Sequence, residues 1–147
     1  MTVVDRLHRE SELPSDFGRD TLTLGWEERA RVHGRRVSDG GVEFATSLPR
    51  GTVLRDGDCF VLGSERVIVT VRERAEAVFV IAPRNAHEWA IFAYHIGNRH
   101  QPVMITDCAL VCPDAPGVEQ LLQQHHMPFT RATVPFTPVA AAAAHHH

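Results

Sequence analysis

The stretch Asn85-Ala86-His87-Glu88-Trp89-Ala90-Ile91-Phe92-Ala93-Tyr94-His95-Ile96-Gly97-Asn98-Arg99-His100-Gln101-Pro102 carries a helix together with the signals for both of its ends. Asn85, followed three residues later by Glu88, has the form of an N-cap with its capping-box partner. Trp89, Phe92, Ala93 and Ile96 then recur at helical spacing, which predicts a helix from about Ala86 to about Ile96. Gly97 is expected to supply the left-handed residue that ends it, and Pro102 keeps it from resuming. His100 is thereby expected just beyond the last turn, outside the buried stripe.

Working outward from this helix, residues 77–82 read as a strand before it. Residues 103–106 and 109–112 read as two strands after it, joined around Asp107. A second helix is predicted next, opened by Asp114 or Pro116 and carrying Val118, Leu121, Leu122 and His125 on one stripe. Residues 129–134 supply a last strand. The order β-α-β-β-α-β over residues 76–136 is that of ferredoxin-like domains, in which two helices cover one face of an antiparallel sheet. Upstream the pattern changes to short apolar runs at 21–24, 30–36, 42–45, 53–54, 59–62 and 67–72. They are separated by Asp39-Gly40-Gly41, Asp56-Gly57 and Gly63-Ser64, so residues 21–75 read as a small all-β unit. The expected fold class is therefore α+β, with an all-β N-terminal domain followed by a ferredoxin-like C-terminal domain. Residues 1–20 show no sustained periodicity and are expected as a mobile leader with at most one short strand, and residues 137–147 as a flexible tail bearing histidines.

Two blocks within this frame are distinctive. Tyr94-His95-Ile96-Gly97-Asn98-Arg99-His100 closely resembles the Tyr-His-Leu-Gly-Asn-Arg-His signature of the urease accessory protein E (UreE) family, the nickel metallochaperones of urease maturation. Leu48-Pro49-Arg50-Gly51-Thr52-Val53-Leu54-Arg55-Asp56-Gly57-Asp58 resembles the other hallmark of that family, in the same order and separation. The resemblance runs from about Leu22 to about Phe136. It implies a homodimer that carries Ni(II) as cargo. It also implies delivery to the urease apoprotein through the urease accessory GTPase, and a second domain of ferredoxin-like fold. The Leu48 block itself is turn chemistry, with Pro49 and Gly51 setting bends and Asp56-Gly57 closing a hairpin, so it speaks for the fold more than for a site.

Composition is consistent with this reading and limits the alternatives. The 147 residues suffice for one ordinary domain or two small ones, and 44% of them are apolar. Net charge is −3, with all 15 basic residues Arg and the acids interspersed, which is no footprint for nucleic acid. No apolar run of about eighteen residues suggests a membrane span, and the N-terminus lacks the apolar core of a signal peptide, so a cytoplasmic location is expected. Cys59, Cys108 and Cys112 make an odd count. Cys108 and Cys112 are expected on one face of a strand as small buried hydrophobes, and Cys59 as strand filler.

No nucleophile elbow, glycine-rich phosphate loop or His-Glu-x-x-His zinc helix occurs, so an enzyme is not expected. Metal binding is better supported. Imidazole suits nickel, and Cu(II) or Zn(II) as well, but one histidine cannot hold a divalent ion against water. In an isologous dimer any residue beside the two-fold axis is present twice, so His100 can offer two nitrogens to one ion. The remaining positions fall to water or to His145, His146 and His147, since members of the resembled family often end in histidine-bearing tails. An alanine linker before three histidines also has the form of an expression tag. His95 is expected to pack locally, and His125 with His126 to serve the end of the second helix. Two rival functions are a peptide-binding module built on the β domain and a ferredoxin-like RNA binder.

Overall fold

The computed structural model describes residues 1–139 of the chain, in two units divided between Arg74 and Ala75. In the first unit the elements are β1 (Val3–Val4), a short 3-10 turn (Glu10–Glu12), β2 (Gly18–Leu24), α1 (Trp26–Ala30), β3 (His33–Val37), β4 (Glu43–Ser47), β5 (Cys59–Leu62) and β6 (Val67–Glu73). They form two three-stranded sheets, β1-β4-β3 and β2-β6-β5, in which β1 runs parallel to β4 and β2 parallel to β6. Alternation along the strands selects the core. Leu22 and Leu24, Phe44, Phe60 and Leu62, Val69 and Val71 are buried together, with the Phe44 and Phe60 rings 5.3 Å apart. Each such side chain contributes about 1.5–3 kcal/mol by leaving water.

Several sequence expectations are corrected here. Residues 1–20 take part in the β unit: Val3 and Val4 pair with Ala45 and Thr46, Val4 joins the core, and β2 begins at Gly18. A two-residue strand carries no periodicity to detect. The predicted strand over 30–36 starts late: Ala30 closes a helix that was not expected, α1, and β3 then runs His33–Val37. Glu28 ties off the start of α1 by accepting from Gly25 N at 3.2 Å, and Arg29 is fully buried. The Arg29 guanidinium donates to Leu24 O (3.3 Å) and Leu54 O (3.4 Å), while Leu54 N returns a bond to Arg29 O (2.9 Å). Residues 53–54 are therefore no strand. Leu54 is a buried anchor held by α1, and the bend continues with Arg55 N on Asp58 (2.8 Å) and the Arg55 side chain on Glu73 (2.8 Å). The second hallmark block is thus a surface bend anchored by the buried Leu48 and Leu54, with Pro49, Arg50, Gly51, Arg55, Asp56 and Gly57 exposed.

The second unit has β7 (Ala75–Ile81), α2 (Ala86–Asn98), β8 (Met104–Ile105), β9 (Leu110–Pro113), α3 (Val118–Gln124) and β10 (Thr130–Pro135). The sheet order is β10-β7-β9-β8 with every neighbour antiparallel, which is the ferredoxin-like arrangement. Phe79, Ile81, Leu110 and Cys112 point to the helices and pack with Phe92, Ile96, Val118, Leu122 and Met127. Gly117, in the left-handed region at φ 88°, precedes α3, so neither Asp114 nor Pro116 is the residue that opens it.

The other sheet face carries Val78 and Val111, which are also buried. Met104 lies opposite Val111 on that face, and Thr137 N meets Met104 Sδ at 3.4 Å. After β10 the chain therefore crosses this face from the β10 edge to the β8 edge. Phe136 is fully buried on the way, and Val139 N ends on Val103 O at 2.7 Å. Among the described residues, no helix is long and apolar enough to cross a membrane.

Candidate metal centre

The start of α2 follows the sequence. Asn85 Oδ1 accepts from Glu88 N at 2.9 Å, but the Glu88 carboxylate, instead of returning to Asn85, accepts from Arg84 N (2.9 Å) and the Arg84 guanidinium (2.6 Å). That grip holds the Glu88 carboxyl below its usual range. The end of α2 departs from expectation. Gly97 stays helical and the helix runs to Asn98; the left-handed residue is His100 itself, at φ 54°. His100 N donates to Gly97 O (3.0 Å) and Gln101 N to Ile96 O (3.2 Å), the paired bonds of a Schellman ending with His100 in the place glycine usually takes. The ending needs the left-handed residue two positions beyond the last helical one, and a glycine one turn too early cannot provide it.

The same ending closes α3. His126 has φ 54°, His126 N donates to Gln123 O (3.1 Å), and Met127 N donates to Leu122 O (2.9 Å) while its side chain enters the core. A non-glycine residue in this conformation costs about 1 kcal/mol or more, so each histidine is held there by the bonds around it. The two differ from an ordinary helix-end histidine in that the backbone, and not only the side chain, is committed.

His100 is exposed, as expected. His95 is half-buried on α2 and stacks on His125, ring centroids 3.9 Å apart and nearly parallel at 13°, with Tyr94 edge-on to His95 at 5.3 Å. Desolvation, followed by the charges of His95, Arg99 and His126, lowers the pKa of His125. This pairing of the two helix ends was not visible in the sequence, because His95 and His125 belong to different helices and nothing in the pattern of either helix links it to the other.

The cysteines separate. Cys59 and Cys112 are buried, and burial pushes the Cys112 thiol up to about 12, which leaves it protonated and inert as a ligand at neutral pH. Cys108 is exposed in the bend between β8 and β9, so it does not share a strand face with Cys112. Among the described residues, no three His, Cys, Asp or Glu side chains assemble into a metal-holding group. His145, His146 and His147 lie outside the described residues. Within one described chain, then, the candidate centre is a single accessible imidazole on a fixed backbone, chemically suited to a soft-to-borderline cation and short of ligands.

Both units match one family. The UreE urease accessory protein N-terminal domain profile covers residues 3–72, and the C-terminal domain profile covers residues 76–147. The chain belongs to the UreE urease accessory protein family. It is 38% identical over 122 residues to the urease accessory protein UreE of Burkholderia thailandensis, covering 83% of this chain and 57% of that protein. To the proteins of the same name from Burkholderia mallei strain SAVP1 and Burkholderia pseudomallei strain 1710b it is 36% identical over 121 residues, covering 82% of this chain and 59% of each relative. The chain thus spans less than three-fifths of the length of these relatives. The UreE family is one of accessory proteins rather than enzymes.

Proposed function

We propose that the chain serves urease maturation as a nickel carrier. In this reading it is a homodimer in which the His100 imidazoles of two copies bind one Ni(II) beside the two-fold axis. The observation that carries the reading is the placement of His100: an exposed imidazole whose backbone is fixed by two hydrogen bonds at the end of α2. A fixed, incomplete ligand set suits a carrier, which must release its ion, and Cu(II) and Zn(II) would compete for the same nitrogens.

The strap after β10 supports a contribution from His145, His146 and His147. Val139 is bonded to Val103, three positions beyond His100, so the tail departs from the stretch that carries the candidate ligand. From Val139 to His145 an extended chain spans about 20 Å, enough to bring tail imidazoles to His100 of the same copy and raise their local concentration there. Delivery to the urease apoprotein, with the urease accessory GTPase as intermediary, is part of this proposal.

The test is a nickel titration by calorimetry alongside a mass determination in solution. The expected result is a dimer that binds about one Ni(II) at the shared site, lost in His100→Ala and weakened when residues 145–147 are removed. A monomer, or a His100→Ala variant that binds as the parent does, would sink the proposal.

A further inference from the structure

Three buried polar atoms beside β3 lack a hydrogen-bond partner. Arg36 is 4% exposed, and among the described residues nothing accepts from its Nε or Nη1. Its bonds run through Nη2, to Glu28 O (3.0 Å) and Arg31 O (2.7 Å) where α1 ends. The Thr46 hydroxyl is likewise buried and unpartnered. Thr46 stands opposite Gly34 in the β3–β4 ladder, and Gly34 is two residues from Arg36. A buried hydroxyl or guanidinium gives up its hydration, and proteins nearly always return a partner for it. Water would answer the hydroxyl, but it brings no charge to the guanidinium.

The surroundings are positive. The Arg31 guanidinium lies over Gly34, its Nε 3.7 Å from the place a Cβ would take, and donates from Nη2 to Arg35 O at 3.3 Å. Gly34 has φ 136°, a backbone that side chains rarely adopt, so this spot stays free of a Cβ. Among the described residues, Arg31 takes part in no ion pair. Burial, followed by the charge of Arg31, holds the Arg36 guanidinium below its usual range, and Glu28 acts the other way. The Glu28 carboxylate is itself committed to Gly25 N (3.2 Å) and the Arg74 guanidinium (3.1 Å). Two guanidiniums and a hydroxyl therefore surround one glycine, with the exposed Arg31 and Gly34 at the mouth and the buried Arg36 and Thr46 at the floor. Their charge suits a dianion, and donors on three sides suit a tetrahedral one.

We propose that Arg31, Arg36 and Thr46 bind a phosphate group beside Gly34. Free phosphate and a phosphate monoester share this chemistry, each carrying a charge of about −1.5 to −2 near neutral pH. The inference is independent of the nickel reading, since it uses no histidine and no residue of the second unit.

The experiment uses the full chain, metal-free and labelled with nitrogen-15, titrated near neutral pH with inorganic phosphate, with glycerol phosphate and with acetate. Inorganic phosphate should move the Gly34 amide and the Arg36 Nε–H resonances along a saturating curve while the amides of α2 and α3 stay in place. Arg31→Gln, an exposed change, should weaken phosphate about tenfold by removing one charge-assisted contact. Thr46→Val keeps the volume and removes the unpartnered hydroxyl. It should weaken phosphate several-fold and leave Tm in phosphate-free buffer no lower than the parent's. Tighter binding of glycerol phosphate would identify a phosphorylated ligand, and equal binding free phosphate. Shifts that do not saturate, an affinity unchanged in Arg31→Gln, or acetate bound as tightly as phosphate would overturn the site.

Discussion

Replacing His100 by glycine separates what this residue does for the fold from what it is proposed to do for metal. At φ 54° the histidine sits where a Cβ crowds the following carbonyl, a conformation that costs an L residue about 1 kcal/mol and glycine almost nothing. The hydrogen bonds of the ending, His100 N to Gly97 O and Gln101 N to Ile96 O, use only backbone and survive the change. His100→Gly should therefore stabilise the second unit by about 1 kcal/mol, raising its Tm by roughly 4–8 °C for a domain of this size. His126→Gly, at the same φ and with the same pair of bonds, should do likewise. His100→Ala keeps the Cβ and should leave Tm nearly unchanged. Differential scanning calorimetry of the three variants reads the stability, and nickel titration reads the site. The expected pattern is two stabilised glycine variants, of which only the one at position 100 fails to bind nickel. A fall in Tm for His100→Gly would refute the left-handed ending. Nickel binding retained in both His100 variants would refute the ligand.

The stacked His95 and His125 rings make the second unit sensitive to acid. Because the folded pKa of His125 is lowered, the unfolded chain takes up more protons near the ordinary imidazole value, so stability is full above about 6.5 and declines as pH falls through it. His125→Gln should flatten that decline in thermal scans between about pH 5 and 8, and an unaltered slope would show that the stack is not its source. Nickel loading should weaken over a similar range, since ligation requires neutral imidazole; affinity flat with pH would argue against histidine ligands. Phe136→Ala should cost about 3–5 kcal/mol of stability in the second unit, as for a large buried ring, and loosen the strap that ends at Val103. If instead the variant unfolds with the parent Tm, Phe136 is not packed under the sheet. Arg29→Met keeps the volume but strips the donors from Leu24 O and Leu54 O. It should destabilise the first unit by about 1–3 kcal/mol in urea unfolding, and no change would mean water replaces the guanidinium.

Much of the second unit was legible because its signals are local. The α2 cap at Asn85, the stripe of Trp89, Phe92 and Ile96, and the branched runs that became β7 and β9 each lie within one element, and periodicity reads them directly. The strand order followed once the element order was known. What escaped depends on partners distant in the chain. Val3 and Val4 are a strand only because Ala45 and Thr46 lie alongside, and Arg29 is buried only because Leu24 and Leu54 offer carbonyls to it. The misplaced end of α2 has a local cause. Gly97 is the natural candidate for a left-handed residue, and the paired bonds that choose His100 instead require Gln101 to reach back to Ile96.

The candidate site divides along the same line. Position 100 was singled out as a candidate from the motif and from its place beyond the helix, and its imidazole is exposed. Its anchoring could not be read, since histidine, though enriched over most side chains in the left-handed region, is a far weaker signal for it than the nearby glycine. Under the proposed function that anchoring has a use. A side chain on a fraying helix end would wander, and two such side chains would seldom meet one ion in a common geometry. A histidine at the C′ position of a Schellman ending is fixed at its Cα by bonds that involve no side chain, which leaves only the imidazole torsions free to close on a cation. Ligands supplied by a second copy and by a tail can then leave one at a time, so the ion is held firmly enough to carry and released without unfolding the domain that presents it.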